Sequence, residues 1–465
     1  MMSKIRQVST RPDIAVIYIV DKKKFDTVCG LKKLFEQVKD FLKTLPWNLS
    51  EFGPSISVDE ILNKVLFIKG QFDGLLGITF TGTSAKQTAV LGLFDGPVAS
   101  WFFPATNWWS MASAGSGIGY IQDEAQVNSN VSLYPLYGSP KDKKVQNKLE
   151  IWSKASHALR AMKREKIGLV GGAYEVMPAS NWHPDILTSK LGPQYTDLSI
   201  TELIKFHKNV KANEINELIK ELKGKGFQID EDEDSLSKIR RALAASLALE
   251  KLQIKENLTG IAINCYGGAD LEGYTGILGN LGANACLKGH ALSSVIIGCE
   301  SDVVNTAQQM IFRHLTDRIP SMADPWKVKV ENNYMVVGTC SAPFSGLANS
   351  SDGNIKAGKL MSLYKVGILG VAVPIYQPGD VIVARIFGRG LDKIVLATGK
   401  FLKSSFEIIP GRVAFEMRLR NVEKWIEKGC LGNHFTFLPT NTLEKDLSKL
   451  KLYCKFNNIK IIDCD

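Results

Sequence analysis

The pattern of apolar and polar positions divides the chain into two textures. Through the first two thirds, short apolar runs alternate with segments of 3.6-residue period. Ile14 to Val20, Leu75 to Phe80 and Val98 to Phe103 read as buried strands, while Leu31 to Leu45 and Asn147 to Lys163 read as amphipathic helices. This rhythm predicts an α/β domain with a mostly parallel sheet over residues 1–165. A second α/β unit, 166–330, opens with Ile167 to Val170 running into Gly171-Gly172. It continues through helical patterns at Leu203 to Leu222 and Ser235 to Leu252 and a strand at Gly260 to Cys265. After Trp326 the runs become short, β-rich and broken by Gly and Pro: Tyr334 to Thr339, Lys359 to Val366, Val381 to Phe387, Lys393 to Thr398 and Phe406 to Arg420. Residues 331–465 therefore predict an antiparallel sheet or barrel, closed by a helix at Glu444 to Tyr453 and a strand at Ile459 to Ile462.

Two carboxylates stand out against this pattern. Glu300 ends the run Ser-Ser-Val-Ile-Ile-Gly-Cys-Glu, and Asp324 lies near the end of Arg-Ile-Pro-Ser-Met-Ala-Asp-Pro-Trp. Between them Val303 to Leu315 reads as one helix, with Val304, Ala307, Met310, Ile311 and His314 on one face. Strand, helix, strand over this length predicts a parallel crossover, which would deliver both acids to the carboxyl edge of one sheet, where open α/β sheets bind ligands.

Composition narrows the class. A chain of 465 residues with 45% hydrophobic and 22% charged residues is globular and long enough for two or three domains. The net charge of +10 comes from dispersed lysines, with no nucleic-acid-binding motif beside them. The eight cysteines form no C-x-x-C pair and sit in apolar contexts, as buried thiols of a reducing compartment do. The run Ile14 to Val20 is too short for a signal sequence and is followed by Asp21 and Lys22. No stretch reaches the roughly 20 apolar residues of a membrane span, so a cytoplasmic protein is expected.

Six histidines are available as ligands. His157, His207 and His314 lie in helical patterns that favour structural roles, and His183 sits in a loop. His290 leads towards Glu300 and stays a minor candidate. His434, at a Gly turn entering an apolar run, is compatible with metal binding but not singled out by spacing. The acidic run Asp230 to Asp234 lacks the Gly and terminal Glu of a calcium loop and reads as a solvated helix start. Ala114-Gly-Ser-Gly-Ile-Gly119 lacks dinucleotide-fingerprint spacing and reads as a flexible loop. Asn107-Trp108-Trp109, after a strand, offers paired aromatics either for a ligand face or for core or subunit packing, and Trp326, two residues past Asp324, is the better placed to line a pocket. Cys340 and Ser341 have no histidine nearby in sequence to make either a nucleophile.

The segment Cys299-Glu300-Ser-Asp302-Val-Val-Asn305-Thr-Ala307, followed by Ala323-Asp324, resembles the L-fucose and L-arabinose isomerase superfamily, the fucose isomerase type in particular. That type carries Glu-x-Asp-x-x-Asn and then Ala-Asp at the same separation. Gly432-Asn433-His434 is similar to the Asn-His of the family's C-terminal domain, and Lys166 to Gly172 and Thr339 to Pro343 resemble further strand segments. The resemblance implies two Rossmann-like doubly wound domains followed by a β-barrel-like domain. It also implies a Mn²⁺ site (or another divalent cation such as Co²⁺ or Mg²⁺) held by Glu300, Asp324 and His434. The implied activity is aldose–ketose isomerisation through a cis-enediol, with Glu300 and Asp324 also moving the proton. Asp302, Asn305 and Asn433 would then orient ligands or substrate, with Trp326 lining the pocket. A homo-oligomer, hexameric or trimer-based, with a pocket shared between subunits is implied as well. Tyr266 to Gly289 departs from the fucose isomerase pattern, which leaves room for a modified or charged sugar. The alternatives are another metal-dependent carbohydrate enzyme on the same scaffold, an aldolase or hydrolase, and a non-catalytic sugar sensor.

Overall fold

The computed structural model describes residues 9–81, 85–103, 110–127, 132–174, 177, 183–265, 281, 283–292, 295–343, 358–363, 368–405, 413–429 and 432–465. Asn107 to Trp109, most of the Tyr266 to Gly289 segment and Cys430 lie outside them. The chain forms two compact bodies. One comprises Ser9–Ala161 with Ser448–Phe456, the other Met162–Leu447 with Asn457–Asp465.

The first body is built on a five-stranded sheet in the order β2-β1-β3-β4-β5. Its strands are β1 (Asp13–Ile19), β2 (Asn48–Ser55), β3 (Gly74–Thr79), β4 (Pro97–Phe102) and β5 (Ser132–Tyr137), all in parallel register. Residues 14–19 of β1 are all buried, which is why its sequence is a continuous apolar run rather than an alternating one. The segment expected as a glycine loop is instead part of the helix Ser110–Val127. Gly117 is the reason it packs: a Cβ there would lie 2.6 Å from the Thr88 Cβ and 2.7 Å from the Ala85 carbonyl oxygen. Glycine here permits two helices to approach, at some cost in helix propensity. A buried pair, His157 Nδ1 to Asp73 Oδ2 at 2.7 Å, gives His157 the structural role its helical position suggested.

In the second body, β6 (Lys166–Val170), β7 (Gln194–Leu198), β9 (Gly260–Ile263) and β10 (Ile296–Gly298) form a parallel sheet in the order β10-β9-β6-β7. The long pattern at 203–222 resolves into two helices, Ile200–Lys208 and Ala212–Gly224. A small sheet pairs β8 (Gln228–Ile229) with β13 (Gly358–Leu363) and β14 (Ile368–Pro374).

The remaining strands make a closed antiparallel barrel of six: β11 (Ser321–Lys329), β12 (Tyr334–Thr339), β15 (Gly379–Phe387), β16 (Lys393–Ser405), β17 (Val413–Leu419) and β18 (Phe435–Thr440). Pairing of β15 with both β16 and β18 closes it, and β19 (Lys460–Asp463) adds in parallel to β16. Closure leaves the six strands with no free edge. Inside, Tyr376, Phe401, Phe415 and Phe437 pack ring on ring, with the Phe415 and Phe437 centroids 5.0 Å apart. The Tyr376 hydroxyl donates to the Pro343 carbonyl oxygen at 2.5 Å, so the buried ring keeps its polar end satisfied.

This topology corrects one expectation. The strand carrying Asp324 is not the parallel partner of the strand before Glu300. It is β11, which pairs antiparallel with β12 and β18 in the barrel. The helix Val303–Thr316 thus bridges the parallel sheet and the barrel, and residues of both its faces, Val303 to Phe312, are buried. Among the described residues no helix is long and apolar enough to cross a membrane.

Candidate metal centre

Glu300 follows β10 in left-handed backbone conformation, φ +51°, and Ser301 continues in it at φ +58°. Consecutive non-glycine residues in this region carry strain, of order 1 kcal/mol each, that their surroundings must hold. Here the Ser301 N–H donates to the Ile263 carbonyl at 2.9 Å and its hydroxyl to the Gly172 carbonyl at 2.9 Å. Ahead of the turn, Gly298 lets the following helix come close: a Cβ would meet the Thr306 hydroxyl at 2.0 Å. Asp302 then caps that helix, its carboxylate accepting from the Asn305 N–H at 2.9 Å.

The barrel supplies the other donors through its register. Ser321, Met322 and Ala323 of β11 pair with Phe437, Thr436 and Phe435 of β18. Asp324 directly follows and His434 directly precedes the Ala323–Phe435 pair. A register shift between Pro325 and Lys327 follows at once, a bulge beside the centre that frees Trp326 from the ladder. The Trp326 ring is about half exposed.

These segments converge on His434. Its Nε2 lies 3.5 Å from Glu300 Oε2 and 3.5 Å from Asp324 Oδ1, while its Nδ1 lies 3.3 Å from Asp302 Oδ2. The side chains of Asp302, His434 and Glu300 are 0%, 3% and 6% exposed, whereas Asp324 is 26% exposed and forms the open side. The Asn433 amide nitrogen is 3.1 Å from Glu300 Oε2 and within 3.0 to 3.2 Å of both His434 ring nitrogens. Asn305 accepts from the Thr436 hydroxyl at 2.6 Å, tying the helix to β18.

Sequence reasoning missed Arg385, a buried cation on β15. Its Nη1 lies 3.2 Å from Asp302 Oδ2 and donates to the His434 carbonyl oxygen. The signal available was a lone charge in the apolar strand Val-Ile-Val-Ala-Arg-Ile-Phe, since buried guanidinium groups need partners.

The electrostatics follow from burial and pairing. Burial works against the charged form of Asp302, yet the field of Arg385 and the His434 and Asn305 hydrogen bonds outweigh it and bring its pKa down to about 2. Burial likewise opposes charge on His434, but Asp302, Asp324 and Glu300 raise its pKa above the ordinary value.

Two carboxylates and one imidazole nitrogen suit a hard divalent cation. Ligand atoms at right angles on bonds of about 2.2 Å lie about 3.1 Å apart, so the 3.5 Å separations are only a few tenths wide. Among the described residues no three His, Cys, Asp or Glu side chains are already arranged to hold a metal ion. Both 3.5 Å separations radiate from His434 Nε2. Two buried polar atoms here, Asn433 Oδ1 and Asn305 Nδ2, have no hydrogen-bond partner, as befits a centre built for a polar ligand. The donor set fits such a cation.

Of the other candidates, His314 Nε2 pairs with Glu165 Oε1 at 2.6 Å, a structural role. His290 is buried against Ser341 and the Ile297 carbonyl, and no contact to the three donors is among its hydrogen bonds. The sulfur of Cys299, the residue before Glu300, lies 3.3 Å from that of Cys265.

No family model matches the chain. It is similar to proteins named sulfoquinovose isomerase from Priestia aryabhattai and Priestia megaterium, at 22% identity over 353 residues. The match covers 73% of this chain and 75% of each relative.

Proposed function

We propose that this protein is a sugar isomerase that interconverts an aldose and its 2-ketose with the help of a divalent metal ion. The observation that carries the reading is the convergence of Glu300 and Asp324 on His434 Nε2, each at 3.5 Å. The likeness to the two sulfoquinovose isomerases supports the sugar-isomerase class independently. Glu300, Asp324 and His434 would hold the ion, which as a Lewis acid would stabilise negative charge developing on the sugar oxygens at C1 and C2.

The chain's own residues supply the rest. Moving a carbonyl between C1 and C2 requires taking a proton from one carbon and returning it to its neighbour through a cis-enediol. A carboxylate within reach of both carbons performs both transfers. Asp324 lies on the open side, where the sugar approaches, and Glu300 lies on the closed side, held by the Asn433 amide. With the sugar bound between them, the pair would bracket the enediol. The net charge of +10 and the name of the relatives favour an anionic sugar such as sulfoquinovose, and the homo-oligomer belongs to the same proposal.

The test is a panel of neutral aldoses, ketoses and sulfoquinovose incubated with Mn²⁺ in D₂O and followed by NMR. Isomer formation with deuterium uptake at C1 or C2 is expected. Glu300→Gln should lose both by about 10²-fold or more while keeping the wild-type circular dichroism. Cleavage products would point to an aldolase or hydrolase, binding without turnover to a sensor, and isomerisation retained in Glu300→Gln would overturn the proposal.

A further inference from the structure

Three carboxylates crowd one imidazole, yet a divalent cation needs the charge of only two. Something must decide which two. Arg385 sits where that decision is made. From β15 it reaches the Asp302 carboxylate at 3.2 Å and the main-chain carbonyl of His434, so one guanidinium grips both the helix cap and the histidine's own backbone. The strand is fixed at that point. Gln308, two turns into the helix capped by Asp302, donates to the Ala384 carbonyl at 2.8 Å and accepts from the Ile386 N–H at 2.5 Å. One glutamine therefore clamps the residues on both sides of Arg385, tying the cation's strand to the helix that carries Asp302.

Resting on the reading of the centre given above, we infer that Arg385 is a positioning residue that sorts the three carboxylates. It holds Asp302 on the Nδ1 side of His434 and out of the ligand set, leaving Nε2 to face Glu300 and Asp324. The geometry divides in the same way: Oδ2 of Asp302 lies 3.3 Å from Nδ1, whereas the other two carboxylates approach Nε2. The charges agree. Arg385 balances Asp302, and the two remaining acids balance a divalent ion. A histidine whose Nδ1–H is held by a carboxylate presents a fixed, more basic Nε2 lone pair. Arg385 adds the element that keeps that carboxylate from turning to the metal. Both contacts are made by Nη1, at the end of a side chain one atom longer than that of lysine, so a lysine would match the charge on a stem too short for the same position.

The experiment measures Mn²⁺ affinity of the metal-stripped protein by electron paramagnetic resonance of free Mn²⁺. Wild type, Arg385→Lys, Arg385→Met and the double variant Arg385→Met/Asp302→Asn are compared, with thermal midpoints of the metal-free proteins. Loss of an outer support of this kind is expected to weaken Mn²⁺ binding about 10- to 100-fold. Arg385→Lys should fold and still bind weakly. The double variant, which leaves neither buried charge unpaired, should recover thermal stability without recovering affinity. Wild-type affinity in Arg385→Lys, or affinity restored together with stability in the double variant, would make Arg385 merely structural and overturn the inference. Failure of the wild type itself to bind Mn²⁺ would overturn the metal-dependent reading on which it rests.

Discussion

His290 offers a direct test of how burial is distributed in the second body. The ring is buried, with Nδ1 2.9 Å from the Ser341 hydroxyl and Nε2 3.3 Å from the Ile297 carbonyl. This network suits the neutral ring: Nε2–H donates to the carbonyl and Nδ1 accepts from serine. Burial therefore brings its pKa down from 6.5 to about 4, the carbonyl offsetting only part of the effect. Held neutral, the folded protein binds fewer protons than the unfolded chain between those two values. Stability contributed by the neutral ring is complete above pH 6.5 and falls as pH drops towards 4. Integrated over that window, the loss is about 2 kcal/mol at pH 5 and about 3 kcal/mol at pH 4. In His290→Gln the amide can still donate to the Ile297 carbonyl but does not titrate. The wild-type minus variant difference in urea-unfolding free energy should therefore shift against the wild type by about 3 kcal/mol between pH 7.5 and pH 4. Using the difference cancels the other ionisable groups. With six histidines in the chain, imidazole ¹⁵N spectra can follow the same ring directly. A pH-independent difference, or a His290 resonance titrating near 6.5, would refute the reasoning.

Two further outcomes follow from packing. Phe437 is fully buried among Tyr376, Phe401 and Phe415, so Phe437→Ala should cost about 3–5 kcal/mol in urea unfolding; a loss below about 1 kcal/mol would mean that the barrel interior is not close-packed. Burial pushes the thiols of Cys286 and Cys454 up to about 12, while Cys29 is exposed. Iodoacetamide at pH 8 should label Cys29 well before either buried thiol, read by peptide mass spectrometry, and equal rates would contradict their burial.

How much of this could be read from residues alone varies with the kind of information involved. Both textures of the chain, the apolar runs of the α/β portion and the short strands of the barrel, reflect local periodicity and came through clearly. The direction of β11 did not. An apolar run before Asp324 says that a strand is buried, not which sheet receives it, and sheet membership is decided by pairings far away in sequence. The helix at Ser110–Val127 was hidden by its glycines, whose purpose is contact with a neighbouring helix rather than local propensity. Glu300, Asp302, Asp324, Asn433 and His434 were legible as motif fragments, and the structure brings these five together. Arg385 belongs to no motif. Its significance is purely spatial, arising from a strand that passes beneath the helix cap.

The barrel register gives the centre an uneven mechanical character. Asp324 and His434 adjoin the last bonded pair of one ladder, Ala323 with Phe435, so strand pairing holds the backbone from which both side chains extend. Glu300 arrives separately, on two strained residues at the end of another sheet. The site is a vice with one fixed jaw and one sprung jaw. Whatever tightens on a bound ion, or loosens to release it, is concentrated in the two-residue turn that carries Glu300.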